Sequence, residues 1–530
     1  MISEMFLLHF VASIIGSHTG HVSATDFGMF WQITDLHHDP KYSIHGNRYN
    51  NCHQQGVSAD GTKPEDWPGM FGDPRCEAPW SLVESTIAAM KEIHPSPDFV
   101  LWTGGMGPVT YQVAQSQLTA DIKAATDLLT VTFNETYVIP VLGNDDIAPS
   151  SQMPPLDGAY YQDILKNGGW GKILPSDAQT TFGKGGYYSL MIKPGLSLVV
   201  LNTNLYYTLN HLTKQMRDPA GMLAWLRQYL EQQRHIKHKV ILAGHVPPGA
   251  HEGTANTFHM YPQFNQDYVD IVRSYSDVIG AQIFAHERND TLRLFLGLDG
   301  KPINVGILAP SVSPYAYPKN QENTKANPGI RLVKYDRDNG NILDIFQYYL
   351  DLNTANKAKK ADWKLEYQFT KAMVVKDLKP VSMHELLIRL SKDIGLESFH
   401  KLYSWNRISS KQDTSCVGVC RKVYLCAVKH LDIASYDVCM GDMSPRNETS
   451  TPATGTDAPT HPITNSSDSE PFYPSHPYHQ GTIPKSVIYL VMAIGLMLLV
   501  AFLAVTVYLH KRRKLYPKVS YHRIPKYDYD

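Results

Sequence analysis

Five short apolar runs in this chain each stop at a polar motif, and that arrangement limits the fold more than any other feature. FWQIT leads into TDLHHDP with Asp35 and His37, FVLWT into WTGGMGP with Gly104 and Gly105, and YVIPVL into LGNDD with Asn144 and Asp145. VILA leads into AGHVPPG with His245, and IGAQIF into FAHERND with His286 and Arg288. Short apolar runs bounded by turn formers read as buried strands. Helical patterns lie between them. The clearest starts at Asp218-Pro219, an N-cap followed by proline at the first helical position, with Met222, Leu223, Leu226 and Leu230 on one face. Strands alternating with helices, with polar residues at the strands' carboxyl ends, predict an α/β layered domain whose site lies along one sheet edge. Periodicity alone does not choose between two sheets and one doubly wound sheet.

The ends of the chain set its topology. Residues 5–15 are an apolar run followed by small residues, read as a signal peptide over 1–20 although no basic segment precedes it. Residues 487–509 carry no charge and exceed the about 20 residues a helix needs to cross a bilayer. His510, Lys511, Arg512, Arg513 and Lys514 follow and belong in the cytosol. A glycolipid-anchor signal would end in its apolar stretch, whereas 510–530 continue beyond it. The expectation is a single-span type I membrane protein with an extracellular or endolysosomal lumenal domain. Its cytosolic tail holds YPKV at Tyr516 and YHRI at Tyr521, a pattern that resembles endocytic sorting signals. Residues 441–486 are rich in Ser, Thr, Pro and His with few aliphatics, and read as an O-glycosylated stalk. A formal net charge of -1 gives no electrostatic case for nucleic acid.

In an exported chain the six cysteines Cys52, Cys76, Cys416, Cys420, Cys426 and Cys439 suggest an oxidised framework. Zinc held by the last four is the competing reading. The sequons at Asn134, Asn289, Asn447 and Asn465 fit a glycosylated lumenal domain, Asn289 least well because it lies inside a motif loop.

The order of the five motifs resembles the calcineurin-like metallophosphoesterases, whose consensus runs D-x-H, G-D, G-N-H-D, G-H and G-H-x-H. FWQITDLHHDPKY, FGDPRCEAPW, LNTNLYY, GHVPPG, NPGIRLVKYD and VCRKVYLCAVKHLDIASYDVC are similar to the acid sphingomyelinase-like phosphodiesterases, over about 27–440. With few residues between the signal and Phe27, the chain looks like the shorter group without a saposin-like domain. The resemblance implies a four-layer fold, two mixed β-sheets flanked by helices, over 27–350. A small helical cysteine-containing subdomain would follow over 351–440. It also implies the pairs Cys52–Cys76, Cys416–Cys420 and Cys426–Cys439, zinc as the family's metal, and cleavage of phosphodiester or pyrophosphate bonds in nucleotides or lipid headgroups.

By that resemblance a first metal takes Asp35, His37, a shared aspartate and the last histidine, and a second takes the shared aspartate, Asn144, His245 and His286. Here the shared aspartate is Gly105, the last histidine is Arg288, and Asp145 stands where the family has its catalytic histidine. No acid follows Trp102 before Asp121 to rescue the bridge. Two divalent ions about 4 Å apart repel by about 16 kcal/mol at an effective dielectric of 20, so a bridging carboxylate matters. The expectation is no first metal and at most one ion, at Asn144, His245 and His286. An ionised Asp145 would repel a phosphodiester anion instead of protonating a leaving group. The sequence therefore predicts a membrane-anchored homologue, impaired or inactive, acting by binding a nucleotide, a phospholipid or a protein. An active metal-dependent phosphodiesterase is the alternative. A purely structural surface glycoprotein is the third class.

Overall fold

The computed structural model describes residues 26–54, 67–156, 158–315, 326–406, 408 and 416–441. The expected signal, stalk, span and cytosolic tail, with the sequons at Asn447 and Asn465, lie outside the described residues. Among the described residues no helix is long and apolar enough to cross a membrane.

In chain order the strands are β1 (Phe27–Ile33), β2 (Tyr42–Asn47), β3 (Phe99–Trp102), β4 (Tyr137–Pro140), β5 (Tyr188–Lys193), β6 (Leu196–Val200) and β7 (Lys239–Ala243). They continue with β8 (Ile279–Phe284), β9 (Thr291–Leu296), β10 (Pro302–Leu308), β11 (Gly329–Asp336), β12 (Ile342–Leu350) and β13 (Trp363–Gln368). One six-stranded sheet has the order β13-β12-β11-β1-β3-β4 and the other β5-β6-β7-β8-β10-β9. Both are mixed: β1, β3 and β4 run parallel while β11 joins β1 antiparallel, and β6, β7, β8 and β10 run parallel between antiparallel β5 and β9. Helices flank them, giving the α/β architecture with two sheets that periodicity left open.

Continuous apolar runs suit strands buried on both faces. FVLW of β3 and LSLVV of β6 are buried at every position. The two sheets share one apolar core. Within it Gln32 of β1 donates from Nε2 to the carbonyl of Phe284 at the end of β8, 2.9 Å away. Because β1, β3, β4, β7 and β8 run parallel within their sheets, their carboxyl ends bring all five motifs to adjoining sheet edges.

Two sequence expectations need correction. The helix at Asp218-Pro219 begins at Met222, because Ala220 and Gly221 both take positive φ (58° and 65°). Asp218 still serves that helix from a distance, its carboxylate accepting from the backbone N–H groups of Leu223 and Ala224 at 3.0 Å each, and the expected face is buried. The segment 351–440 is not wholly helical either. β13 pairs antiparallel with β12 as the edge of the first sheet. Helices Pro380–Ser391, Val419–Lys429 and Ile433–Met440 follow.

Candidate metal centre

The loop after β1 runs beside the loop after β3. Asp35 N donates to Gly104 O at 2.8 Å, His37 N to Gly105 O at 2.9 Å and His38 N to Met106 O at 2.8 Å. This ladder holds Asp35 and His37 at positive φ, 51° and 39°, a region that residues with side chains seldom occupy. Asp146 ties the next loop to them: Oδ2 accepts from Gly143 N at 2.6 Å and Gly105 N at 3.3 Å, and Oδ1 from Met106 N at 2.6 Å. Burial pushes the Asp146 carboxyl up against the opposing effect of those N–H groups.

Asp35 and His37 meet each other. His37 Nε2 lies 3.1 Å from Asp35 Oδ1, and Nδ1 lies 2.7 Å from the carbonyl of Gly107. Both ring nitrogens face oxygen acceptors, which an imidazole satisfies together only as a doubly protonated cation. Burial and the Arg288 charge push the His37 pKa down, yet the Asp35 hydrogen bond and the charges of Glu77 and Asp35 leave it raised. Burial pushes Asp35 up, but the His37 hydrogen bond and the charges of His245, His37 and Arg288 hold it well below the usual carboxylate range. Gly105, where the resemblance implies the shared aspartate, has φ +82°, and an added Cβ would lie 2.9 Å from both Cα and Oδ1 of Asp35. Asp35 therefore fills the space that a side chain at 105 would enter.

Asn144, His245 and His286 do converge. Asn144 Oδ1 is 2.9 Å from both His245 Nε2 and His286 Nδ1, and the two rings are 5.3 Å apart. His245 Nδ1 donates to Thr103 O at 2.7 Å, which orients the ring and turns Nε2 toward Asn144. Burial, then the His245 charge, hold His286 well below its ordinary pKa. Asp145 beside them is buried and accepts a hydrogen bond from Ser150 Oγ.

The loop after β8 alternates. His286 and Arg288 sit at positive φ, 71° and 60°. Glu287 pairs with buried Arg293 and accepts from His259 Nε2 at 2.7 Å, and Arg293 Nη1 also donates to Glu252 Oε2 at 3.0 Å. Asp290 pairs with Arg331 and accepts from Tyr367 Oη. Arg288 Cζ is 5.9 Å from the centre of the Tyr315 ring, and among the described residues its buried Nη1 has no hydrogen-bond partner. Its charge acts on Asp35, His37 and Glu77. Glu77 is wholly buried, accepting from Val109 N at 3.0 Å and from Ser313 Oγ at 3.1 Å. Burial pushes its carboxyl up, opposed by Arg288 and His37.

Residues 301–445 match the family described as acid sphingomyelin phosphodiesterase C-terminal region. The chain is 34% identical over 427 residues to acid sphingomyelinase-like phosphodiesterase 3b of Mus musculus, covering 79% of this chain and 91% of that one. The chain belongs to the acid sphingomyelinase-like phosphodiesterases. Other members of this phosphodiesterase family give similar matches. Cyclic GMP-AMP phosphodiesterase SMPDL3A of Bos taurus is 34% identical, over 78% of this chain and 90% of its own. Sphingomyelinase phosphodiesterase C of Dictyostelium discoideum is 29% identical, over 78% and 92%.

For a sphingomyelinase-like phosphodiesterase the donor set at the first position does not fit a divalent ion. Asp35 and His37 are bonded to each other, position 105 offers no carboxylate, and Arg288 brings a permanent positive charge. The second position offers one side-chain amide and two imidazoles that converge, and no carboxylate. Among the described residues no three His, Cys, Asp or Glu side chains are grouped to hold a metal ion. The disulfides Cys52–Cys76, Cys416–Cys420 and Cys426–Cys439 are formed, so the four later cysteines are not thiolates free for zinc. Asn134 is exposed. Asn289 is half-buried, and its Nδ2, the atom a glycan would take, donates to Glu252 Oε1 at 3.4 Å.

Sequence reasoning missed Asp146, Glu77 and the anchors Glu287 and Asp290. Asp146 was within reach, as the last residue of LGNDD at the final position of the G-N-H-D consensus. Glu77 lies in FGDPRCEAPW, where no periodicity points to a pocket.

Proposed function

We propose that this chain is a membrane-anchored sphingomyelinase-like phosphodiesterase homologue in which catalysis is impaired or lost and the pocket binds a phosphorylated ligand. The observation that carries this reading is the closure at Gly105, where the backbone, not an acidic side chain, meets Asp35. Without a carboxylate between them, two divalent ions repel without compensation. Asp145 supplies no proton to a leaving oxygen if ionised. Disulfides support an extracellular or lumenal setting, and the uncharged stretch at 487–509 supports a single span.

The convergence of Asn144, His245 and His286 favours one second reading: an active phosphodiesterase using a single zinc ion on those donors, hydrolysing nucleotide or phospholipid-headgroup diesters. The two readings separate by metal content and turnover of the full chain, assayed on bis(p-nitrophenyl) phosphate and on cyclic GMP-AMP, which one relative's name gives as its substrate. The binder is expected to carry substoichiometric zinc and turn over neither. Near-stoichiometric zinc with turnover abolished by His245→Ala would establish the enzyme instead.

A further inference from the structure

Resting on the reading above, we propose that Arg288 is a built-in cation in place of the first metal ion, and that it takes the phosphate group of the ligand directly, without any metal. The Arg288 charge acts on Asp35, His37 and Glu77, yet among the described residues the guanidinium is not a hydrogen-bond partner of either carboxylate. Each of the two carboxylates already has partners: Asp35 has Thr34 Oγ1 and His37, and Glu77 has Val109 N and Ser313 Oγ. They steady the cation by charge while, among the described residues, its Nη1 is left unused. Nη1 is buried and unbonded among the described residues, and a buried charged donor without an acceptor is costly enough that native structures supply one.

The acceptor that fits is a phosphate. A planar guanidinium presents parallel N–H groups matched to two phosphoryl oxygens. The Tyr315 ring flanks its Cζ at 5.9 Å, and the loop that carries it is fixed by Glu287 and Asp290 through Arg293 and Arg331. A fixed fork loses little freedom when it closes on a ligand. The mutual bond of Asp35 and His37 belongs to the same arrangement: with the cation supplied by position 288, neither has to turn outward.

The experiment is calorimetric titration of inorganic phosphate into the full chain after exhaustive EDTA treatment, for the parent, Arg288→Lys and Arg288→Gln, with melting curves for all three. The parent is expected to bind without metal. Arg288→Gln should bind about tenfold more weakly or worse, the loss of a charge-assisted bidentate contact, and Arg288→Lys should fall between. Equal binding by Arg288→Gln overturns the proposal, as does parent binding that appears only when zinc is restored. In the latter case, loss of binding in His245→Ala would keep a ligand pocket while moving it to the other donors. No phosphate binding in any form, with or without zinc, removes both the proposal and the reading beneath it. If Arg288→Gln fails to fold, the comparison of parent and Arg288→Lys decides: indistinguishable affinity counts against a bidentate fork.

Discussion

At the residue scale the decisive position is 105. A lost side chain normally leaves a cavity that a reversion refills, but here Gly105 stands at φ +82° with Asp35 already against it. Gly105→Asp is therefore expected to cost about 1–3 kcal/mol in backbone strain, with a similar overpacking penalty where Cβ meets Asp35. It should not by itself restore zinc uptake. Urea denaturation and metal analysis of the variant check this; a variant as stable as the parent that also binds zinc would mean the loops stand further apart than described. The sequence made the missing carboxylate plain, because the motif around it is intact and one letter differs. Nothing in that motif shows that the backbone has closed. That closure depends on Asp35 taking φ 51°, and no residue type announces such a conformation in an aspartate. Glu77 was hidden for a related reason: it reaches the pocket from a loop pinned by Cys52–Cys76, and loops have no period to read.

At the scale of elements, the strands were legible because each is a continuous apolar run, and the motifs because each begins where such a run ends. β13 was not. WKLEYQ alternates, but its Lys364 and Glu366 are the charges expected on a sheet edge, and they mask it among helical neighbours. The loop after β8 shows what the elements do for the site. In FAHERND, His286 meets Asn144 and Arg288 lies near the Tyr315 ring, while Glu287 and Asp290 anchor the loop through Arg293 and Arg331, so its carboxylates are structural. Arg293 is fully buried between Glu287 and Glu252. Replacing it with methionine leaves two buried carboxylates without their cation, a loss of about 3–5 kcal/mol. Adding Glu252→Gln and Glu287→Gln to Arg293→Met should recover part of that loss. Chemical denaturation of the single and triple variants is the check, and an Arg293→Met chain of parental stability would show that the network contributes little.

Across the whole molecule, the C-terminal region is part of the site's foundation. β13 extends the first sheet, and Tyr367 within it donates to Asp290 in the loop after β8. Asn406, just after the helix Leu396–Trp405, donates from Nδ2 to Glu252 Oε1 at 2.7 Å and accepts at its carbonyl from Asp290 N at 2.9 Å. Helix Val419–Lys429 is tied by Cys426–Cys439 to Ile433–Met440, and the pair packs an apolar cluster onto Ala250, two residues before Glu252. Residues beyond 350 thus reach the loop of His286 and Arg288 along two routes, one through Asp290 and one through Glu252. Asn406→Leu removes both donations of its Nδ2, to Glu252 Oε1 at 2.7 Å and to Asp290 O at 3.3 Å, leaving a Glu252 oxygen without one of its donors at a cost of about 1–3 kcal/mol. Because the fold keeps its other anchors, the effect should concentrate locally: amide hydrogen exchange over 285–290 should rise in Asn406→Leu while the strands of the first sheet stay protected. Metal-free phosphate affinity should weaken with it, since a looser Arg288 must be ordered on binding. Unchanged exchange in that loop would mean that the C-terminal region covers the second sheet without positioning the pocket.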